Sequence, residues 1–363
     1  MKIFFLGKYN QSEYLSGPEK VAKRIYTESL KKYDSFFIEY FFDGRKFGLI
    51  QKLFGHEIIN FDNNSKIIRL GIITLFFFLL KEKPAIIHII TYERFAAAVF
   101  LYRIISQVKI IYNVHGVIYH ENNNYKKVSG YYIFKDKICE NIFLKYSDKI
   151  IFLSDDSIEI ASRYFEFDKN KIEIIPNGID EIFNTIGIRK MSNNNIPLKI
   201  VFIGEIERKE KGFEFLYGTL KQINFPYEIF LLCNNMKFKE DNFTGITKLE
   251  TCKFAEFLID KDIYISSSEY DPFSISAVET MAAGLVPIVT QQTGMSSYIK
   301  QKENGFVINF GDNEKLNGTL ELLNSDRALV SNISQNAKLI SINLNWQKIF
   351  AKYECLYYKL LNS

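Results

Sequence analysis

Short runs of aliphatic and aromatic residues recur along the chain, and most are followed by a polar turn and a stretch with helical spacing. Lys2 to Leu6, residues 34–40 and 58–61, Ala85 to Ile90, Lys109 to Val114, Ile150 to Leu153, Ile172 to Ile175 and Leu198 to Ile203 read as strands. Helices are predicted from about Pro18, through Leu70 to Leu80, and over Arg94 to Ile105. The pattern is sharpest over residues 262–289. There Ile263 to Ile265 form a strand run, Ser266 to Asp271 a polar turn, and Pro272 stands where a helix can begin, since its missing N–H costs least in the first turn. Ile275, Val278, Met281 and Ala282 share one side of that helix, Gly284 stops it, and Leu285 to Val289 make the next strand. Near the end, Trp346, Ile349, Phe350, Tyr353, Leu356, Tyr357 and Leu360 fall on one helical stripe. Strand, turn, helix, strand in this order predicts α/β domains with parallel sheets, which bind ligands outside the carboxyl ends of their strands.

Length and charge narrow the class. At 363 residues the chain can build two domains, each with its own core, and 47% hydrophobic residues suit a globular protein. The longest apolar stretch, Leu70 to Leu80, is far short of the roughly 20 residues that span a bilayer, and reads as a buried or interfacial helix. MKIFFLGKYN has only a short apolar run before Gly7 and reads as a first strand, not a signal peptide. Cys139, Cys233, Cys252 and Cys355 have neither C-x-x-C spacing nor a nearby His in ligand spacing, and read as reduced thiols of a cytoplasmic protein. The net charge of +4 is unevenly placed: residues 1–150 hold 23 Lys/Arg against 14 Asp/Glu, and residues 151–363 hold 23 against 28. A basic N-terminal half suits an anionic phospholipid surface or lipid-phosphate, or is a solvated basic face; nucleic acid is not an expected partner.

The chemistry gathers at strand ends. Asp271 and Glu279 bracket a helix start, whose free N–H groups and dipole suit a phosphate, while a nearby acid can accept hydrogen bonds from ribose or sugar hydroxyls. Phosphate plus polyol describes a nucleotide-sugar; acids that merely complement the helix dipole are the other reading. GEIERKEKG, residues 204–212, sets basic residues between two glycines where they can neutralise a diphosphate leaving group. His115 follows a strand and precedes Gly116; His88 sits within a buried strand and reads as a core histidine. Residues 119–131, polar and basic with interleaved Tyr, read as a mobile acceptor-side loop. Asp260-Lys261-Asp262 is a D-x-D between a helix and a buried strand and reads as structural. No G-x-G-x-x-G follows the first strand, which disfavours a dinucleotide oxidoreductase.

DPFSISAVETMAAGLVPIV resembles the E-x-F-G-x7-E-A-M-A-x-G-x-P-V signature of retaining glycosyltransferases of family 4, which have the GT-B fold. The resemblance implies two Rossmann-like α/β/α domains facing a central cleft. Residues 1–185 would form the acceptor-side domain, 186–197 a linker, 198–340 the nucleotide-sugar domain, and 341–363 a helix crossing back to the first domain. It makes Glu279 the ribose-binding acid, places Asp271 where the family has Glu and Ser274 where it has Gly, and sets Pro272, Phe273 and Ile275 beside the donor. Lys211 matches the phosphate-binding Lys of G-R-x-x-x-x-K-G, but Glu205 stands where Arg is expected, leaving Arg208 or Lys209 to supply the second charge. Ser16-Gly17 with Glu19 and Val21 resembles G-G-x-E-x-x-V, a loop facing the donor diphosphate, and Thr293-Gly294 resembles a G-G loop near the phosphates. His115 matches a strand-end histidine beside the donor sugar.

The expected protein is therefore a retaining hexosyltransferase that needs no metal or other cofactor. Its donor is a nucleotide-diphospho-sugar, UDP-sugar favoured, carrying a hexose or N-acetylhexosamine. Its acceptor is a hydroxyl of a lipid-linked or cell-surface glycan precursor, as in bacterial polysaccharide or lipopolysaccharide synthesis. Lys211, Asp271 and His115 are its catalytic candidates, and its expected location is cytoplasmic, peripheral on the inner face of the membrane. Two alternatives stay open: a catalytically silent GT-B scaffold subunit and a sugar-nucleotide epimerase.

Overall fold

The apolar runs become the strands of two parallel sheets. A computed structural model describes residues 1–9, 17–41, 47–60, 66–187, 196–233 and 241–362. The chain divides into two compact units, one of residues 1–175 with 349–363, the other of residues 176–348.

In the first unit the strands are β1 (Lys2–Leu6), β2 (Asp34–Tyr40), β3 (His56–Asn60), β4 (Lys66–Leu70), β5 (Ile86–Ile89), β6 (Lys109–Val114), β7 (Lys149–Phe152) and β8 (Ile172–Ile174). Their order is β3-β4-β2-β1-β5-β6-β7-β8, parallel except for β3. Strands covered on both faces read as continuous apolar runs, and β1, β5 and β6 are buried almost throughout. β4 went unpredicted because KIIRL merges in sequence with the apolar run that follows; the helix expected from Leu70 begins at Ile72, after Gly71 breaks the strand.

A second sheet holds β9 (Leu198–Ile203), β10 (Tyr227–Leu232), β11 (Phe243–Ile246), β12 (Ile263–Ser266), β13 (Val286–Thr290) and β14 (Phe306–Ile308), ordered β11-β10-β9-β12-β13-β14. Its pairings are all parallel. Phe202, Leu216, Ile265, Val286, Ile288 and Leu320 are among the side chains of its core.

The last helix, Trp346–Asn362, buries the predicted stripe. His88 is a core histidine. Its Nδ1 meets the Tyr357 hydroxyl at 2.8 Å and its Nε2 meets Asn113 Oδ1 at 2.9 Å, while Asn113 Nδ2 donates to the Tyr353 hydroxyl at 3.0 Å. An amide oxygen only accepts, so Nε2 carries the proton and Nδ1 accepts from Tyr357. Burial lowers the His88 pKa to about 4, which keeps the ring neutral at pH 7.

The division between units falls before residue 185 because the turn Pro176 to Asp180 bonds onward. The Ile179 N–H donates to Leu344 O at 2.9 Å, and Gly178 lies against the Trp346 ring. Residues 188–195 of the expected linker lie outside the described residues. Residues 119–131 are a loop only over residues 125–129. The rest form most of a helix, Ile118–Asn124, and the start of another, Gly130–Tyr146. Among the described residues no helix is long and apolar enough to cross a membrane.

Candidate active site

The second unit's sheet changes direction between β9 and β12. The chain winds outward from β9 through β10 and β11, then returns to the other side of β9 for β12, β13 and β14. Connections leaving the carboxyl ends of β9 and β12 therefore diverge, and such a switch point is where open α/β sheets hold ligands. Residues 204–212 follow β9 and residues 267–274 follow β12. Between them they bring together Lys211 and Asp271, Nζ to Oδ2 at 2.8 Å, with side chains only 20% and 12% exposed.

Local sequence explains the contact. Gly212 has φ +65°, and a Cβ there would lie 1.9 Å from the Ser267 carbonyl oxygen, so only glycine lets this loop press against the end of β12. Ser267 Oγ donates to Lys211 O at 3.1 Å. Buried Glu210 accepts from the Glu269 N–H through its carbonyl at 2.8 Å and from Arg208 Nε through its carboxylate at 2.7 Å. Lys211 is thus delivered by a loop stitched at three points.

Asp271 also caps the following helix. Its Oδ1 accepts from the N–H groups of Ser274 at 2.8 Å and Phe273 at 3.2 Å. Ser274 is the N-cap at φ 63°, a left-handed conformation uncommon outside glycine, and the helix is Ile275–Ala282. It begins later than Pro272 because residues 272–274 form the capped turn. The Tyr264 hydroxyl reaches Ser276 Oγ at 2.9 Å and Ser274 Oγ at 3.3 Å, fixing the turn from below. First-turn N–H groups of such a helix have no acceptor within it, so the turn presents donors and the positive end of a dipole beside an ammonium.

Burial by itself would raise the Asp271 pKa, but the Lys211 ammonium and the two capping N–H groups outweigh it and hold the carboxyl below its usual range. Burial would likewise lower the Lys211 pKa, and Asp271 more than compensates, raising it. Both groups are charged at neutral pH.

The other candidates of this unit lie on the same frame. The Gly294 N–H donates to Asp271 O at 2.9 Å and the Asp271 N–H to Gln292 O at 3.3 Å, lacing the loop after β13 to the turn. Glu279 is buried one turn along the capped helix, and Pro272, Phe273 and Ile275 complete its approach. Arg208 is engaged by Glu210, whereas Lys209 is exposed and makes no ion pair among the described residues. Glu205 is half-buried, and its carbonyl accepts from the Arg208 N–H at 3.1 Å.

In the first unit, Ser16 lies outside the described residues. Gly17 opens the helix Gly17–Leu30, where buried Glu19 pairs with Lys8 at 3.2 Å. His115 follows β6. Burial lowers its pKa to about 4, against the backbone bond to Ile90, so the ring is neutral at pH 7. Its Nε2 is buried and has no partner among the described residues. With the other nitrogen donating to the Ile90 carbonyl, Nε2 is left as an acceptor for a hydroxyl. His120 instead meets the Tyr164 hydroxyl at 2.9 Å. In the second unit, Asp260 and Asp262 lie at the amino end of β12. Lys199 and Lys261 both pair with Asp260, and Asp262 accepts the Lys199 N–H at 2.9 Å.

Sequence reasoning missed Tyr264 and Glu210. Tyr264 reads as one more apolar strand residue, and Glu210 as one more charge in a charged loop; neither carries a local signal of its hydrogen bonds.

A doubly wound sheet thus carries an ammonium, a capped helix start and a buried acid at its switch point, an arrangement able to hold a phosphorylated polyol. The family model described as Glycosyltransferase Family 4 matches residues 45–182, and that described as Glycosyl transferases group 1 matches residues 234–340. The chain is 22% identical over 280 residues, 71% of each protein, to the UDP-Gal:alpha-D-GlcNAc-diphosphoundecaprenol alpha-1,3-galactosyltransferase of Escherichia coli. It is similar in structure to sucrose-phosphate synthase of Thermosynechococcus elongatus, with 14% identity, 99% of both chains covered and a TM-score of 0.77. It is also similar to Anabaena HepE in complex with UDP-glucose, with 15% identity, 98% of this chain and 99% of that one covered, and a TM-score of 0.73. The chain is a glycosyltransferase of the GT-B fold. The two family matches and these relatives together support the family 4 type.

Proposed function

We propose that the protein transfers a hexose or N-acetylhexosamine, with retention, from a UDP-sugar to a hydroxyl of a lipid-linked or cell-surface glycan precursor. The observation that carries the reading is the Lys211–Asp271 pair beside the capped helix start at the β9/β12 switch point. UDP and a lipid-diphosphate acceptor are favoured by the name of the Escherichia coli relative, and UDP-glucose by the HepE complex.

In this mechanism the donor diphosphate sits at the first turn of the Ile275–Ala282 helix. Lys211 stabilises the charge that grows as the sugar departs, with exposed Lys209 as the second cation and Arg208 held back by Glu210. Donors fixed before the reaction stabilise such charge without reorganising. Glu279 holds the ribose hydroxyls. Asp271 fixes Lys211 through Oδ2 and accepts sugar hydroxyl bonds, while Gly294 and residues 272–275 shape the turn. His115 Nε2 accepts a bond from a sugar hydroxyl, and Gly17 borders the phosphates. The departing diphosphate takes the acceptor proton, so no protein nucleophile is assigned. Metal independence is supported by the pairing of Asp260 with two lysines at the opposite end of β12 from Lys211.

Calorimetry with a panel of nucleotide-diphospho-sugars, followed by turnover on a lipid-diphosphate saccharide with and without EDTA, tests this reading. A UDP-sugar that binds and is transferred in the presence of EDTA is expected. Binding of none of the panel, or activity abolished by EDTA and restored by Mn²⁺, contradicts it.

A further inference from the structure

The helix Gly130–Tyr146 is built inside out. Its buried side carries two carboxylates one turn apart, Asp136 and Glu140, together with Phe143 and Leu144. Asp136 accepts from the Tyr92 hydroxyl at 2.6 Å, from Arg94 at 2.6 and 2.9 Å, and from Asn122 Nδ2 at 3.0 Å. Glu140 accepts the N–H groups of Ile118 and Tyr119, both at 2.9 Å, in the first turn of the helix that begins just past His115.

The outward side carries what a buried side usually would. Tyr131, Phe134, Lys135 and Ile138 stand at i, i+3, i+4 and i+7, one stripe of an α-helix. Tyr131 and Phe134 are each 62% exposed and Ile138 45%. Around them the exposed charge is mostly basic. Over residues 121–146 the exposed charged side chains are Lys126, Lys127, Lys135, Lys137 and Lys145; half-buried Glu121 pairs with Lys126, and Asp136 and Glu140 turn inward. The Lys135 ammonium lies 4.2 Å from the Tyr131 ring centroid.

Rings and an aliphatic side chain fringed by lysines, with no acid between them, match a bilayer interface. Tyrosine sits at headgroup depth, apolar side chains enter the acyl boundary, and lysines meet anionic headgroups. A second copy of the chain is a poor occupant, because a two-fold contact would set this lysine fringe against itself. We propose that this face docks the protein on an anionic phospholipid surface. The purpose of the docking rests on the lipid-linked acceptor proposed above: Glu140 ties the docked helix to the turn after His115.

Sedimentation of the full chain with phosphatidylcholine vesicles, with and without phosphatidylglycerol, tests the proposal. The parent should sediment with the anionic vesicles and be released by salt. The triple variant Tyr131→Ser, Phe134→Ser, Ile138→Ser should lower the partition coefficient about tenfold or more. Substituting Lys126→Gln, Lys127→Gln and Lys135→Gln should also lower it about tenfold or more and flatten the salt dependence. Leu101→Ser, another exposed apolar position of the same unit, should leave it unchanged. Thermal unfolding and circular dichroism like the parent's certify that each variant is folded. Equal binding to neutral and anionic vesicles, no binding to either, a serine triple that sediments like the parent, or a dimer in light scattering that this triple dissolves would each overturn the docking. Vesicle binding that follows these variants without transfer to any lipid-linked acceptor would instead overturn the acceptor reading alone.

Discussion

At the scale of single residues, the proposed donor site divides the labour between two acids of the 271–282 turn and helix. Asp271 is committed on both oxygens, to Lys211 and to the capping N–H groups. Glu279, further along, is buried, and the proposed mechanism gives it the ribose hydroxyls. Losing a charge-assisted hydrogen bond costs roughly 1.5–3 kcal/mol, so Glu279→Ala should weaken UDP affinity by at least about tenfold. Calorimetry on the folded variant checks this, and unchanged UDP affinity removes the ribose assignment. Both acids were legible in the sequence because their spacing brackets a helix start. The Lys211–Asp271 contact was not, since it joins residues 60 positions apart and depends on how two loops close over one sheet. Nor was the engagement of Arg208 by Glu210, which is decided by which side chain of a charged run turns inward.

At the scale of elements, regular periodicity was readable and its inversions were not. Strands buried on both faces announce themselves as apolar runs, and the last helix showed its stripe. The Gly130–Tyr146 helix hid because its carboxylates face inward and its aromatic residues outward, which erases the amphipathic signal. The helix after Asp271, Ile275–Ala282, lies within a residue of the helical spacing read from about Ser274 to Ala283, and Pro272 belongs to the capped turn before it. Gly212 is the element on which the site's shape turns. Gly212→Ala sets a Cβ against the Ser267 carbonyl in a left-handed conformation costing roughly 1–2 kcal/mol before the clash is counted. Thermal or urea unfolding should show a loss of at least that size, with weakened UDP binding. A variant as stable as the parent would mean that the loop does not press on β12.

At the scale of the whole molecule, each unit is a doubly wound sheet whose catalytic candidates sit at carboxyl strand ends, Lys211 and Asp271 in one and His115 in the other. That placement followed from the alternation of strands and helices alone. The boundary did not, because the allegiance of Pro176 to Asp180 is set by the distant Leu344 and Trp346. The basic excess of residues 1–150 is likewise visible in sequence, but the exposed aromatic stripe that Lys135 flanks on the Gly130–Tyr146 helix needed coordinates. The central claim is that Lys211, held by Asp271, stabilises the departing diphosphate although Glu205 stands where a cation is expected. Its most direct test is the steady-state rate of UDP release from the UDP-sugar that binds the parent, compared among the parent, Lys211→Ala and Glu205→Ala. The account predicts a parent that turns over, a loss on the order of 10²–10³ for Lys211→Ala, and little change for Glu205→Ala. A parent without turnover, or a Lys211→Ala variant as fast as the parent, would contradict it.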